Sequence, residues 1–230
     1  MLTDLQVEIM RWLLVLCCMG LAGCASADLS KRSANKGIKN PVLESVDAKS
    51  KPRFGFIVAR QRLPIFEGEA QPNSAHIEDV CTMLKTRPHW RNALSEGYLN
   101  WQVEPWYVLA FLYQESRFNP KALSKSLAYG FPQAKDDTWR WYQESRKLPV
   151  ASRERFDDAV DFIGWYAHKN IARNGVGLKD VKNQYLAYHE GLGGFESSSF
   201  LAKPWLITIA DKVAHRALEY QKQLLRCPIS

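Results

Sequence analysis

The fold is decided by the stretch VEPWYVLAFLYQESRFNPKALSKSLAYGFPQAKDDTW, residues 103–139. Its first part repeats apolar side chains at the spacing of an α-helix, at Trp106, Leu109, Ala110 and Tyr113. Apolar residues also fill most of the opposite face, so we expect this helix to be buried nearly all round. The run ends at Glu115, which places a carboxylate at the inner end of an apolar helix.

Glu115 is the first candidate for chemistry in the chain. A carboxylate at the end of a buried helix is poorly hydrated, and desolvation raises its pKa because it disfavours the charged form. An acid that is still protonated near neutral pH is what cleavage of a glycosidic bond requires. The structural alternative is that Glu115 caps a helix or pairs with Arg117 or with a lysine.

Three short motifs in order resemble the catalytic domain of the soluble lytic transglycosylase (SLT) family, which is related to goose-type lysozyme. The family pattern is E-S, then N-P-x-A-x-S, then x-x-G-A-x-G-L-M-Q, with a Thr five residues after the Gln. A later segment, YLAYHEG, is similar to the family's A-Y-N-x-G. The likeness covers roughly residues 81–227 and is closest to a lipoprotein branch. The matching positions of the first motifs are Glu115, Ser116, Asn119, Pro120, Ala122, Ser124, Ala128, Gly130, Gln133 and Thr138.

Three departures from the family pattern matter for the predicted site. Leu127 stands where the family usually has Gly, and His189 replaces the usual Asn. Pro132 replaces Met, which removes a backbone N–H from the loop that would line the cleft. These changes leave the acid in place and alter the substrate side of the predicted site.

The resemblance implies roles for five residues. Glu115 would be the single catalytic acid, and Ser116 would hold the sugar on the muramoyl side. Gln133 would bond the acetamido groups, Phe131 would form an apolar wall, and Tyr188 would orient Glu115 by a hydrogen bond.

Each supporting residue also has a structural alternative. Ser116 could bond its own helix backbone, and Gln133 could brace the loop. Phe131 could pack in the core, and Tyr188 could be a core tyrosine with a satisfied hydroxyl. Glu190 is either a second carboxylate near the cleft or part of a cap or ion pair, and the role of His189 is open. We interpret Asp136 and Asp137 as helix caps and Asp161 as structural.

The N-terminus has the features of an export signal. Residues 1–23 hold a short apolar core that is too brief to span a bilayer as a helix, and they end in LAG before Cys24. This resembles a bacterial lipobox, with Cys24 acylated on the periplasmic face of the outer membrane. An ordinary signal peptide with an incidental cysteine is the alternative. Residues 24–72 are predicted to be a disordered tether with an irregular arm.

Residues 73–230 are predicted to form an all-α, lysozyme-like domain, because helical periodicity recurs throughout and no strand signal is convincing. Asn73 and Ser74 are placed to cap its first helix. Gly164 lies in the middle of a predicted helix, where glycine costs about 1 kcal/mol relative to alanine. Close packing against another helix is the expected reason for it.

The cysteines fit an exported protein. Cys81 and Cys227 lie near the two ends of the domain, and a disulfide between them is expected in an oxidising compartment. Two buried free thiols are the alternative. The chain shows no Cys/His spacing of a metal site, and neither a metal nor a cofactor is expected.

The predicted partners follow from the signal and the charge. The net charge of +7 suits the carboxylates of peptidoglycan stems better than nucleic acid, which an exported lipoprotein does not normally meet. The partners are therefore a glycan strand, the membrane through the N-terminal lipid, and no nucleic acid. Service to an envelope-spanning secretion apparatus is left open. The competing functions are a muramidase that uses water and a wall-binding lipoprotein without catalysis.

Overall fold

The structure is a computed structural model and describes residues 69–229. Within that range every regular element is a helix, and the only β-pairing consists of isolated bridges of Tyr129 with Leu123 and Ala134. The predicted all-α fold is confirmed. The signal segment, Cys24 and most of the predicted tether lie outside the described residues. The helices are α1 (Val80–Lys85), α2 (Pro88–Trp101), α3 (Pro105–Ser116), α4 (Asp136–Arg146), α5 (Phe156–Asn174), α6 (Val181–Glu190), α7 (Leu192–Glu196), a 3₁₀ turn (Ser199–Ala202) and α8 (Pro204–Leu224).

Helix α3 is the centre of the domain, as its sequence predicts. Every residue from Tyr107 to Tyr113 is buried, and α8, α2 and α5 all pack against the helix. Pro105 occupies its first turn, where the missing N–H has no helical partner to lose. The helix ends because Arg117 and then Phe118 adopt positive φ, at 51° and 57°. The chain therefore turns sharply just after Glu115.

Helices α2 and α5 approach each other at two glycines. A Cβ added at Gly164 would lie 2.4 Å from Cδ1 of Trp101, and one at Gly97 would lie 2.5 Å from Val160. The expectation that Gly164 permits close helix packing is confirmed. Trp101 is also fixed by its indole N–H, which donates to Asp161 at 2.9 Å. The ring therefore has little freedom to move away.

Gly164→Ala is expected to lower the free energy of unfolding by about 1–3 kcal/mol, because the new methyl overpacks against Trp101. Gly177→Ala is the matched control, since nothing lies within 4 Å of the added carbon. Urea unfolding followed by circular dichroism measures both variants. Equal stability of Gly164→Ala and wild type would contradict the packing argument.

Two predicted helix caps are wrong. The first helix begins at Val80, and its N-cap is Asp79, whose side chain accepts from the backbone N–H groups of Cys81 and Thr82. Asn73 instead closes a turn by accepting from the Ala75 N–H at 3.0 Å. Asp136 and Asp137 lie inside the first turn of α4, where carboxylates favour the helix dipole, and Lys135 is the N-cap residue.

The predicted disulfide is present. Cys81 and Cys227 are bonded, with their Cα atoms 5.8 Å apart. The same region is held by Gln223, whose Oε1 accepts from the Val80 N–H at 2.8 Å. The start of the helical domain is therefore tied to the end of α8.

None of the helices between residues 69 and 229 combines the length and apolar character needed to cross a membrane. No group of three or more His, Cys, Asp or Glu side chains there is arranged to hold a metal ion.

Candidate active site

Glu115 lies at the end of α3 with its carboxylate turned into the protein. Its Oε1 is buried and has no hydrogen-bond partner, although the residue as a whole keeps partial contact with solvent. The guanidinium of Arg117 lies instead over the Tyr113 ring, 3.9 Å from its centroid. The carboxylate forms no ion pair with any residue between 69 and 229, so the pairing alternative fails there.

Burial raises the pKa of Glu115 to about 7. Desolvation is the cause, since water no longer stabilises the charged form. A hydrogen bond with Tyr185 acts in the opposite direction, because the phenol stabilises the carboxylate. Near neutral pH this group is therefore divided between its acid and its base, which suits proton transfer in both directions.

Two tyrosines of α6 lie close to Glu115, and they have different tasks. Tyr185 contacts the carboxylate, and burial followed by that negative charge raises its pKa far above the ordinary range. The Tyr188 hydroxyl donates to the Pro132 carbonyl at 2.6 Å. The predicted Tyr188–Glu115 hydrogen bond is therefore wrong, and Tyr185 takes that position. Both rings meet Phe111 of α3 edge-on, at 5.2 and 5.3 Å between centroids.

Tyr188 nevertheless has a use in the site. Its hydroxyl fixes Pro132 in the loop of residues 121–135, which carries the central motif. The loop is also held at Gly130, where φ is 75° and an added Cβ would lie 2.4 Å from the Arg153 carbonyl oxygen. Only glycine fits there, because positive φ and close backbone approach coincide. Leu127, the substituted glycine position, has φ of 63° and is exposed.

Ser116 and Phe131, two of the other predicted substrate residues, make the contacts that their structural interpretations predicted. Ser116 is buried, and its Oγ donates to the Leu112 carbonyl at 3.2 Å, one helical turn back. Phe131 is fully buried and packs edge-on against Trp90 and Phe156, so it cannot form a cleft wall.

Gln133 braces the loop, as its alternative supposed. Its Nε2 donates to the carbonyls of Ala122 at 2.9 Å and Gly130 at 3.0 Å. Both amide hydrogens are thus used inside the loop, and a ligand can use only the Oε1 acceptor.

The two other carboxylates considered from the sequence, Asp161 and Glu190, are both held in structural contacts. Asp161 is buried and accepts from Trp101 and from the Tyr142 hydroxyl at 2.7 Å, with Arg146 nearby. The Glu190 side chain is 4% exposed and pairs with Lys203 at 2.8 Å. Burial raises the pKa of Glu190, but hydrogen bonds from Lys203, Ser199 and His189 outweigh burial and hold that pKa below its ordinary range. Of the two predicted possibilities, a second cleft carboxylate or a member of an ion pair, Glu190 is the member of an ion pair, and it remains charged.

Sequence reasoning missed Tyr185, although its motif contained the signal. Tyr185 and Tyr188 lie three residues apart and therefore share one face of α6. From the sequence, either tyrosine could reach Glu115 on α3. Only the packing of α6 against α3 decides that Tyr185 does so.

The fold and the site together define an all-helical domain with one buried, protonatable glutamate at the end of its central helix. The sequence model of the family described as "Transglycosylase SLT domain" matches residues 12–227. The chain therefore belongs to the SLT transglycosylase family, and its function is of the lytic transglycosylase type, acting on peptidoglycan. A comparison with curated proteins finds no match.

Proposed function

We propose that the protein cleaves the β-1,4 bond between N-acetylmuramic acid and N-acetylglucosamine, and that it leaves a 1,6-anhydro end on the muramic acid. The observation that carries this proposal is the buried Glu115 carboxyl, whose pKa is about 7. A group of that pKa can donate a proton in one step and accept one in the next.

The proposed reaction uses Glu115 twice. Its acid form protonates the bridging oxygen, and the bond from that oxygen to C1 of the muramic acid breaks. The 2-acetamido group of the substrate stabilises the developing positive charge, as in other substrate-assisted glycosidases. The Glu115 carboxylate then takes the proton of the muramoyl 6-hydroxyl as its oxygen bonds to C1. The carboxyl is regenerated, and no water is consumed.

Tyr185 is the proposed positioning residue for Glu115. Its hydrogen bond holds the carboxylate and stabilises the charged form that exists between the two proton transfers. Pro132 and Tyr188 support the same region from the loop side. The site therefore needs one carboxylate, whereas most glycosidases place two on either side of the bond.

Mass spectrometry of digested sacculi tests the proposed product. An anhydro-muramic end on the released fragments is expected. A reducing muramic end instead would identify a muramidase that uses water on the same fold. Release of no fragments at all would favour the wall-binding lipoprotein without catalysis.

The pH dependence of kcat/KM on soluble glycan strands is expected to fall as pH rises through about 7, because a general acid is inactive once deprotonated. Tyr185→Phe removes a contact that lowers the pKa of Glu115, so the fall should move to higher pH. An unchanged or lower position in this variant would contradict the assigned contact.

We also propose that Cys24 carries a lipid that anchors the protein to the periplasmic face of the outer membrane. The support is the LAGC sequence at residues 21–24 behind a short apolar run. Labelling with radioactive palmitate, followed by fractionation of the envelope, tests both parts of this proposal.

A further inference from the structure

An exposed aromatic pair lies one helical turn beyond the residue that contacts Glu115. Tyr185 and His189 are four residues apart in α6, so their side chains lie on one face with Cβ atoms about 5–6 Å apart. The His189 ring meets the Trp205 indole edge-on, with 5.4 Å between ring centroids. The line Glu115, Tyr185, His189, Trp205 therefore runs from the candidate acid outward to the surface.

Trp205 differs from most large aromatic residues of the domain in its surroundings. The side chains of Trp90, Tyr107 and Phe111 are almost completely buried, whereas Trp205 is 53% exposed. A large apolar group that stays exposed forgoes the free energy that its burial would give. The exposed indole that packs against His189 has a free apolar face and an N–H donor to offer a ligand.

An ion pair between the buried Glu190 and the partly exposed Lys203 lies beside this aromatic pair. Both Glu190 oxygens accept from Lys203 Nζ, at 2.8 and 2.9 Å, and one also accepts from Ser199 Oγ. Lys203 is the N-cap residue of α8 and stands two residues before Trp205, while His189 Nδ1 lies 3.4 Å from Glu190 Oε1. The His189 ring therefore contacts the anchored carboxylate directly, and Trp205 packs against that ring, which limits the conformational entropy that a ligand must remove.

We propose that His189 and Trp205 form a binding subsite for an N-acetylhexosamine ring of the glycan strand. The occupant is a neutral pyranose, because the charges beside the pair are already matched within the Glu190–Lys203 ion pair. The apolar C–H face of the sugar would lie on the exposed indole. This inference rests on the proposed function in one respect, because the proposed function identifies the bound sugar as part of a peptidoglycan glycan strand.

The test measures binding without turnover. The full-length protein carrying Glu115→Gln is titrated calorimetrically with chitotetraose, the β-1,4-linked tetramer of N-acetylglucosamine. Adding Trp205→Ala is expected to weaken binding by about tenfold, while Trp205→Phe keeps most of it because an aromatic face remains. The matched control is Trp141→Ala, since Trp141 is another exposed tryptophan, 41% accessible, on α4. That control is expected to bind as the parent does.

Three results from the variants would overturn the subsite, in addition to a fourth from the parent. They are unchanged affinity in Trp205→Ala, equal losses in Trp205→Ala and Trp205→Phe, and a comparable loss in Trp141→Ala. Absence of binding in the parent would also overturn it. None of these results bears on the anhydro product, which mass spectrometry of the wild-type digest measures separately. The failure of the subsite and the failure of the proposed reaction are thus distinguishable.

Discussion

Glu115→Gln is expected to reduce glycan cleavage by about 10³-fold or more. The amide keeps the shape of the side chain but can neither donate the first proton nor accept the second, and general acid–base catalysis typically contributes 10²–10⁴-fold. Release of fragments from soluble glycan strands, separated by chromatography, measures the loss.

The chain offers a matched control for this substitution, since the tripeptide QES occurs twice, at residues 114–116 and 143–145. Glu144 of the second copy is exposed on α4. Glu144→Gln makes the same chemical change without touching the buried carboxyl and should leave cleavage unchanged. If Glu115→Gln retained a tenth of the wild-type rate, Glu115 would not be the acid.

Glu115→Gln is also expected to stabilise the fold at alkaline pH. A folded-state pKa of about 7, above the ordinary value of 4.5, means that the folded protein binds this proton more tightly than the unfolded chain. The contribution of the Glu115 carboxyl to the free energy of unfolding is therefore fully present below pH 4.5, and it declines as pH rises toward 7. Above pH 7 the buried charge costs about 3 kcal/mol, which the neutral amide avoids.

Urea unfolding of wild type and Glu115→Gln at pH 5 and pH 8 measures this effect. The difference between the two proteins should be larger at pH 8, in favour of the variant. Gains in stability with loss of activity are the mark of a residue kept for function. A variant less stable than wild type at pH 8 would show that the Glu115 carboxylate is structurally stabilised instead.

The sequence was sufficient to predict the features that depend on local pattern. The apolar run before Glu115 predicted a buried helix and a desolvated acid, and Gly164 predicted a close helix contact. Both predictions follow from helix periodicity and from the intrinsic cost of glycine in a helix.

The features that depend on tertiary packing could not be predicted in the same way. Asn73 and Asp79 are both good capping residues. Asp79 becomes the cap because α8 holds the adjacent backbone: Tyr220 bonds the Ile77 carbonyl, and Gln223 bonds the Val80 N–H. The choice of Tyr185 over Tyr188 likewise depends on how α6 meets Phe111. No spacing within α6 carries that information.

The loop residues show a second limit of the sequence pattern. Leu127, Gly130 and Gln133 all have positive φ, so side chains in this segment do not follow helix or strand periodicity. The family pattern aligns both Gln133 and Phe131 with its central motif. It does not reveal that the first is committed to backbone carbonyls and the second to the core.

Removal of the disulfide is expected to produce the largest loss of stability. Cys81 and Cys227 are 146 residues apart in sequence, so the bridge closes almost the whole helical domain into a loop. The chain-entropy relation gives about 5 kcal/mol for a loop of that length. Because domains are stable by only about 5–15 kcal/mol in total, the double variant Cys81→Ala/Cys227→Ala should unfold far more readily.

Thermal unfolding of the double variant and of wild type with and without reductant measures this loss. The variant should melt more than about 10 °C lower, and reductant should lower the melting temperature of wild type alone. Replacing both cysteines is necessary, because a single substitution would leave a thiol free to form bridges between molecules. Contacts of Gln223 with Val80 and of Arg91 with the Cys227 carbonyl already hold the two ends together in the folded state. The bridge therefore acts chiefly on the unfolded chain, and a loss below about 1 kcal/mol would mean that the unfolded chain keeps these ends close without it.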